Sequence, residues 1–331
     1  MCADPCTFPC QTYEILLFFI YFCLVNKMIT ILGPTACGKT SLAAALAYDL
    51  GAEIISADSR QVYKGMDIGT GKDLADYEIA GRHIPYHLID IAEPGTKYNL
   101  YRFQHDFYEA YTDIVNRGVQ PILCGGTGLY IEAVLRGYEL SEVPQNPALR
   151  EQLAGETLEE LTHRLEELKA QAGSTMHNKT DVDSCQRAIR AIEIETYNLE
   201  HVAERRTIPA FPSLVIGLDL PREERRRRIS DRLEKRVDEG MIDEIRSLID
   251  RGVAPEDLIY YGLEYKYVTE YVIGRLSRKE MLRQLEIAIH QFAKRQMTWF
   301  RGMERRGTVI HWVDAMLPMQ EKVEQIKQMI R

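Results

Sequence analysis

Gly33-Pro-Thr-Ala-Cys-Gly-Lys-Thr, residues 33 to 40, is the stretch whose residue types and spacing carry the plainest chemistry. It satisfies G-x-x-x-x-G-K-[ST], in which glycine-permitted turns wrap backbone N–H groups around a phosphate. Gly33, Pro34, Thr35, Ala36, Cys37, Gly38, Lys39 and Thr40 are therefore candidates for a phosphate-binding loop. Lys39 would reach phosphate oxygens, and the Thr40 hydroxyl would stand on Mg²⁺. The flanks agree: Ile29, Ile31 and Leu32 read as a short β-strand, and Leu42-Ala-Ala-Ala-Leu-Ala as a strong helix former. A helix starting there aims its free N–H groups and its dipole at the anion. The pattern specifies a polyphosphate. It does not specify a nucleotide.

Other elements must bring reacting groups to that loop. Ile54 and Ile55 suit a buried strand ending at Ser56 or Asp58. In an open parallel sheet the ligand crevice lies beyond the carboxyl ends of the strands. Asp58 would then face the loop as a general base or as the holder of a metal-bound water. Asp58 or Ser59 fits a helix N-cap equally well. Gln120-Pro-Ile-Leu-Cys-Gly-Gly-Thr-Gly repeats the strand and glycine turn, with Thr127 at a helix start, as an anion donor or as a cap. Asp67-Ile-Gly-Thr-Gly-Lys reads as a loop from which Lys72 either touches phosphate or stays solvated. His87-Leu-Ile-Asp-Ile reads as a strand ending on Asp90, a weak second acid for Mg²⁺. Phe103, Phe107, Ala110 and Ile114 give Tyr101 to Val115 a helical period. Together these predict an α/β fold: a P-loop-type parallel sheet flanked by helices.

The chain has 331 residues, 45% hydrophobic and 27% charged, with a net charge of −8. That is an ordinary globular composition, and it excludes a surface that is basic all over while leaving room for a local basic face. Seven cysteines include no C-x-x-C pair, so the chain suggests neither a zinc site nor a redox motif, and the thiols are expected to be reduced in a cytoplasmic protein. Ile15 to Val25 is an apolar run of eleven, too short to span a membrane, with no basic residue before it. Residues 1–27 are expected to lie outside the functional fold, as an upstream start assignment would leave them; a membrane-tethering tail is the competing reading.

Asn146 to Ala172 carries leucines at helical spacing, and Asp183 to Tyr197 reads as a further helix. Residues 143–212 are accordingly expected to form a helical insertion in a core made of residues 28–142 and 213–331. Arg187 and Arg190 share one face with Gln186 beside them, suited either to phosphate contact or to a solvated face with Glu193 and Glu195 as salt partners. Leu214 to Leu220 returns to a strand. Arg222 to Arg236 is crowded with arginines and interspersed acids, with Ile229 and Leu233 facing inward. Lys294, Arg295, Arg301, Arg305 and Arg306 form a second basic cluster. Trp299 there is more readily core packing than a base-stacking platform.

These residues resemble the tRNA dimethylallyltransferases, also called tRNA isopentenyl transferases. The likeness rests on G-P-T-A-C-G-K-T from Gly33, S-A-D-S-R-Q-V-Y-K-G-M-D-I-G-T from Ser56, C-G-G-T-G-L-Y from Cys124, Q-R-A-I-R-A-I-E-I from Gln186, and A-K-R-Q-M-T-W-F-R from Ala293. It runs from Met28 to about Trp312. It implies transfer of a dimethylallyl group from its diphosphate to N6 of the adenosine on the 3′ side of a tRNA anticodon, with Mg²⁺ as cofactor, by a monomer without stable membrane contact. Asp58 would be the base, with Thr127 and Arg232 acting on the leaving diphosphate. Contacts to tRNA are implied at Asp58, Ser59, Arg60, Gln61 and Thr127, and at Arg150, Gln186, Arg187 and Arg190. They are implied also at Tyr265 and Lys266, and at Lys294, Arg295, Gln296, Thr298, Trp299 and Arg301. The chain departs from the family where Glu264 stands in place of the usual Gly, where Ile289-His290 replace Thr-Arg, and at Ser184, where Asp is common; such departures fit a divergent second copy. An adenylate isopentenyltransferase would need no RNA-gripping insertion. A small-molecule kinase would leave Asp58-Ser59-Arg60-Gln61 without a role, and a non-catalytic RNA-binding module would not need both cradle and carboxylate.

Overall fold

The computed structural model describes residues 27–172, 182–201 and 209–330. The expectation about residues 1–26 therefore lies outside the described residues. Two compact units are present, one comprising the chain up to Arg136 and again from Ala210, the other Gly137–Pro209. The expected boundaries were 143 and 212. Residues 137–142 fall in the second unit as well, and Val143 and Pro144 are tied into it by carbonyls that accept from Arg190. Phe211 sides with the first, where its ring packs on Phe107 and Tyr111.

The first unit is built on strands β1 (Met28–Leu32), β2 (Glu53–Ser56), β3 (Glu78–Ile79), β4 (Arg82–His83), β5 (Tyr86–His87), β6 (Pro121–Gly125), β7 (Ser213–Asp219) and β8 (Ile310–Asp314). Strands β3 and β4 make a small antiparallel ribbon. The other six form one parallel sheet in the order β5-β2-β6-β1-β7-β8. β1, β2 and β6 are buried at every position, as a sheet covered on both faces requires. Helix α1 (Lys39–Leu50) supplies Leu42, Ala43 and Leu46 to a core shared with Ile29, Ile31, Ile54 and Ile122. Gly51, left-handed at φ 63°, ends it. Helices α2 (Leu100–Asn116) and α3 (Gly128–Arg136) bring an aromatic layer in which Phe103 stacks on Tyr130 at 4.2 Å.

The second unit holds α4 (Pro147–Leu153), α5 (Leu158–Gln171) and α6 (Cys185–Glu200). Thr157 and Glu160 form a capping box that starts α5 afresh, so the leucine-rich stretch is two helices. Leu153, Leu161, Leu165, Ala188 and Ile192 make this unit's own small core.

The first unit resumes with α7 (Arg222–Asp238), α8 (Met241–Asp250), α9 (Pro255–Tyr260), α10 (Leu263–Val272), the long α11 (Arg278–Arg305) and α12 (Met319–Ile330). Among the described residues, no helix is long and apolar enough to cross a membrane.

Candidate active site

The phosphate loop leaves the carboxyl end of β1, the sheet's central switch point, and enters α1. Gly38 sits at φ 83°, a conformation only glycine adopts freely, and turns the chain directly into the helix. Gly33 packs so closely that an added Cβ would lie 2.6 Å from Cys37 Sγ. Cys37 lies within the loop, and the Cys124 thiol approaches it at the Lys39 carbonyl. Burial pushes Cys37 up and Cys124 to about 12, which keeps both protonated and unreactive.

A polar cavity of about 300 Å³ opens on this loop, lined by Lys39, Thr40, Asp58, Arg228, Arg232 and Arg236 among others. Arg232 reaches across from α7 to hydrogen-bond the Thr35 hydroxyl. Burial, and after it the charge of Arg236, pull the Arg232 guanidinium down to about 10, so it stays cationic at neutral pH. Loop residues Thr70, Gly71 and Asp73 complete the wall. Three N–H groups that open this loop, of Asp67, Ile68 and Gly69, donate to the Glu244 carboxylate at 2.8, 2.7 and 3.1 Å.

Asp58 follows β2 by two residues. Its Oδ1 accepts from the Arg60 backbone N–H at 2.9 Å, a local turn rather than a helix cap. Thr127, at the carboxyl end of neighbouring β6, lies beside it: Ser59 N–H donates to Thr127 Oγ1 at 3.3 Å, and Thr127 N–H to the Ala57 carbonyl at 3.3 Å. Gly125 allows this approach, since a Cβ there would stand 2.2 Å from the Ala57 oxygen. Thr127 opens onto a second cavity of about 640 Å³ whose walls are largely aromatic: Tyr63, Tyr98, Tyr130, Tyr261, Phe292 and Trp299. Arg60 lines both cavities.

Several expected site residues also make structural contacts, and two of them, Gln61 and Gln296, line the first and second cavities. Gln296 is buried; it accepts from Thr35 N–H at 2.8 Å and donates to the Gly126 carbonyl at 2.8 Å, clamping the two glycine turns together. Its side chain also contributes to the wall of the second cavity. Tyr265 is fully buried, its hydroxyl donating to Glu244 at 2.6 Å, and it is withdrawn from the surface. Gln61 is buried between Ser56 and the Gly71 carbonyl. Lys72 is neither on phosphate nor solvated: it is buried against Asp67, Asp90 and the Tyr63 carbonyl. Asp90 is thereby occupied and lines neither cavity. Its expected strand stops at His87 because Leu88 turns left-handed at φ 62°.

In the helical unit, Glu193 is buried and gathers Arg150 at 2.7 and 2.8 Å, Arg190 at 3.0 Å and the Asn146 N–H at 2.8 Å. Arg150 and Arg190 thus hold this unit together. Glu195 pairs with Lys169 at 2.9 Å, not with an arginine. Arg187 and Gln186 are exposed. On α11, Lys294, Arg295, Thr298 and Arg301 are exposed, and Lys266 on α10 is half-buried over the Tyr267 ring. Trp299 is half-buried, 2.3 Å from where a Gly128 Cβ would stand, and it also forms part of the second cavity's wall.

Glu244 and the aromatic chamber carried no sequence signal, since each depends on contacts between distant segments, and Arg236 was visible only as one of a crowd of arginines on its helix. Glu264 stood out only as a departure.

A phosphate loop at the switch point of a parallel sheet, with a carboxylate at the next strand end, defines a phosphate-binding α/β enzyme. Residues 61–303 of the chain match the IPP transferase family and residues 26–84 match the isopentenyl transferase family. Over 297 residues it is 63% identical to tRNA dimethylallyltransferase 1 of Parabacteroides distasonis, covering 90% of this chain and 95% of that one. It is 52% identical over 288 residues to tRNA dimethylallyltransferase 2 of Trichlorobacter lovleyi, covering 87% and 92%. The fold matches the crystal structure of the tRNA isopentenylpyrophosphate transferase of Bacillus halodurans with a TM-score of 0.65 and 32% identity, over 92% and 95% of the two chains. The chain belongs to the IPP transferase family.

Proposed function

We propose that the protein transfers a dimethylallyl group from dimethylallyl diphosphate to N6 of the adenosine on the 3′ side of a tRNA anticodon, releasing pyrophosphate. The observation that carries this reading is the pair of cavities sharing Arg60: one polar and cationic around the phosphate loop and Asp58, the other aromatic around Thr127. The first suits a diphosphate. The second suits an adenine taken out of its stack and held against aromatic rings.

In that arrangement the N6 lone pair attacks C1 of the allyl group as the C1–O bond to diphosphate breaks. N6 of adenine is a weak nucleophile, its lone pair delocalised into the ring. Asp58 takes the N6 proton as the C–N bond forms. Its Oδ1 already accepts from Arg60, which leaves Oδ2 for the substrate. Charge builds on the departing diphosphate, where Lys39, Arg232 and the loop N–H groups stabilise it. Thr127, beside Asp58 on the side of the second cavity, is the further hydroxyl donor in this reading. Lys39 Nζ makes no hydrogen bond or ion pair to protein among the described residues, as a ligand-seeking amine should.

The oxygen donors at the loop fit a hard cation. Thr40 faces the cavity with Asp58 and Asp76, and Ser41 is already committed to Asp76 at 2.9 Å. Thr40 would hold Mg²⁺ together with diphosphate oxygens, and the ion would neutralise leaving-group charge. Arg187, Lys294, Arg295 and Arg301 are the exposed cations proposed to meet tRNA phosphates, in a cytoplasmic setting.

The test is incubation of purified protein with dimethylallyl diphosphate and tRNA, AMP or no acceptor, followed by nucleoside mass analysis. Dimethylallyladenosine beside the anticodon, with AMP untouched, is the expected result. Equal modification of AMP would reassign the enzyme to free nucleotides.

A further inference from the structure

Glu264 places a carboxylate in the wall of a cavity otherwise built for an anion. It is buried, and an unscreened carboxylate there works against a diphosphate. Its partner is Arg60, whose Nη1 donates to Glu264 Oε2 at 2.8 Å. The pair's side chains are only 18% and 7% exposed. Arg60 is enclosed on its other sides: its guanidinium lies 5.3 Å from the Phe292 ring centre, and its Nε 3.8 Å from Asp58 Oδ1. Gly262, at φ 136°, makes room for it, since a Cβ there would meet Arg60 Cδ at 2.7 Å. Arg60 therefore has two competing claims, the carboxylate that holds it and any anion in the cavity it lines.

We infer that Glu264 limits the cradle's hold on pyrophosphate by keeping the charge of Arg60 paired. Lys39 and Arg232 bind the leaving group, while Arg60, neutralised, shapes the wall between the two cavities and supports the Asp58 turn. An additional free guanidinium would tighten the diphosphate of substrate and product alike, and tight product binding slows turnover. Glu264 is a positioning residue in this scheme, acting through Arg60. The inference rests on the proposed reading of the cavity as a diphosphate cradle.

Calorimetric titration of the full chain with inorganic pyrophosphate and Mg²⁺ tests it without any acceptor. Glu264→Gln keeps the shape and a hydrogen-bond acceptor but removes the charge. It should bind pyrophosphate about five- to tenfold more tightly, the scale of one unit charge at a few ångström in a wet cavity. Steady-state prenylation should fall in kcat while KM for dimethylallyl diphosphate falls as well, a pattern that mere loosening of the fold would not produce. Glu264→Ala, which removes the carboxylate altogether, is the second variant if the first is unstable. Adding Arg60→Met to Glu264→Gln should return pyrophosphate affinity to that of the unaltered protein or below. Unchanged or weaker binding by both Glu264 variants overturns the inference alone, and so does a gain that survives loss of Arg60. Failure of the unaltered protein to bind pyrophosphate overturns the cradle reading and this inference with it.

Discussion

Arg232 beside the phosphate loop and Arg190 in the helical unit are both half-buried guanidiniums on helices, yet their surroundings differ in kind. Arg190 is spent. It donates to the Val143 and Pro144 carbonyls and to Glu193, which Arg150 also grips. Arg232 makes no ion pair with a carboxylate among the described residues and hydrogen-bonds only a loop hydroxyl. Burial disfavours its charge, and a ligand anion would repay that cost. At Arg190 charge closes a structure; at Arg232 it is left for a ligand anion. Residue type does not separate the two cases. What does is whether a buried carboxylate lies within reach.

The contrast is broken most sharply at Asp58. If it is the proton acceptor, Asp58→Asn, which keeps size and the Arg60 turn, should cut the single-turnover rate by about 10²–10⁴ with little change in melting temperature. Asn that retained activity with Ala merely destabilised would reduce Asp58 to a turn former.

Glu193 should behave in the opposite way, with a loss of stability and no direct effect on chemistry. Glu193→Ala takes the shared partner from Arg150 and Arg190; because both arginine side chains keep more than a third of their surface in water, the loss is on the order of 1–3 kcal/mol, the scale of unmade hydrogen bonds to a charged group. Melting of the helical unit reads this out. Burial alone would raise the Glu193 carboxyl, but Arg150, the Asn146 N–H and Arg190 outweigh it and bring it to about 2. Because the folded value lies below the ordinary carboxylate range, its stabilisation is complete above about pH 4.5. It drains away as pH falls through about 2. Acid titration of the helical signal should follow that window, and Glu193→Gln should flatten it.

Gln296 sharpens the comparison from within the catalytic unit, where a polar side chain does structural work. Gln296→Ala leaves the Thr35 N–H and the Gly126 carbonyl without partners, about 1–3 kcal/mol each. Gln296→Glu preserves only the first contact and should fall between. Pyrophosphate affinity should decline with the clamp, since Thr35 belongs to the loop.

These outcomes also mark what was readable from the chain. The strand, loop and helix around Gly33 to Thr40 are local, so neighbouring residues announce them. Asp58 and Thr127 were legible because a parallel sheet puts strand ends together. Gln296 was not, since its partners lie 261 and 170 residues away. Arg60 and Glu264 are separated by 204 residues, and Glu264 could be seen only as an oddity. The strand expected through Asp90 failed at a backbone turn: Leu88 and Asp90 adopt φ 62° and 57°, which a hydrophobic alternation does not foretell. Lys72, expected in solvent or on phosphate, is buried because two distant-facing acids, Asp67 and Asp90, converge on it.

The smallest expected effect concerns Arg187. It shares the α6 face with Arg190 but is exposed, with Asp183 as an exposed partner at 3.0 Å. A surface pair of this kind contributes little to stability, so Arg187→Ala should leave melting within about 0.5 kcal/mol. If Arg187 meets an RNA phosphate, the same change should weaken tRNA binding a few-fold and reduce the slope of log K against log salt by about 1. Dimethylallyl diphosphate affinity should stay the same. Arg190→Ala should show the reverse balance, unfolding the Val143–Pro144 entry segment before it alters the salt slope. Equal slopes for the unaltered protein and Arg187→Ala would place Arg187 with Arg190, among the charges that close the helical unit, and would shift the search for RNA contacts to the exposed cations of α11.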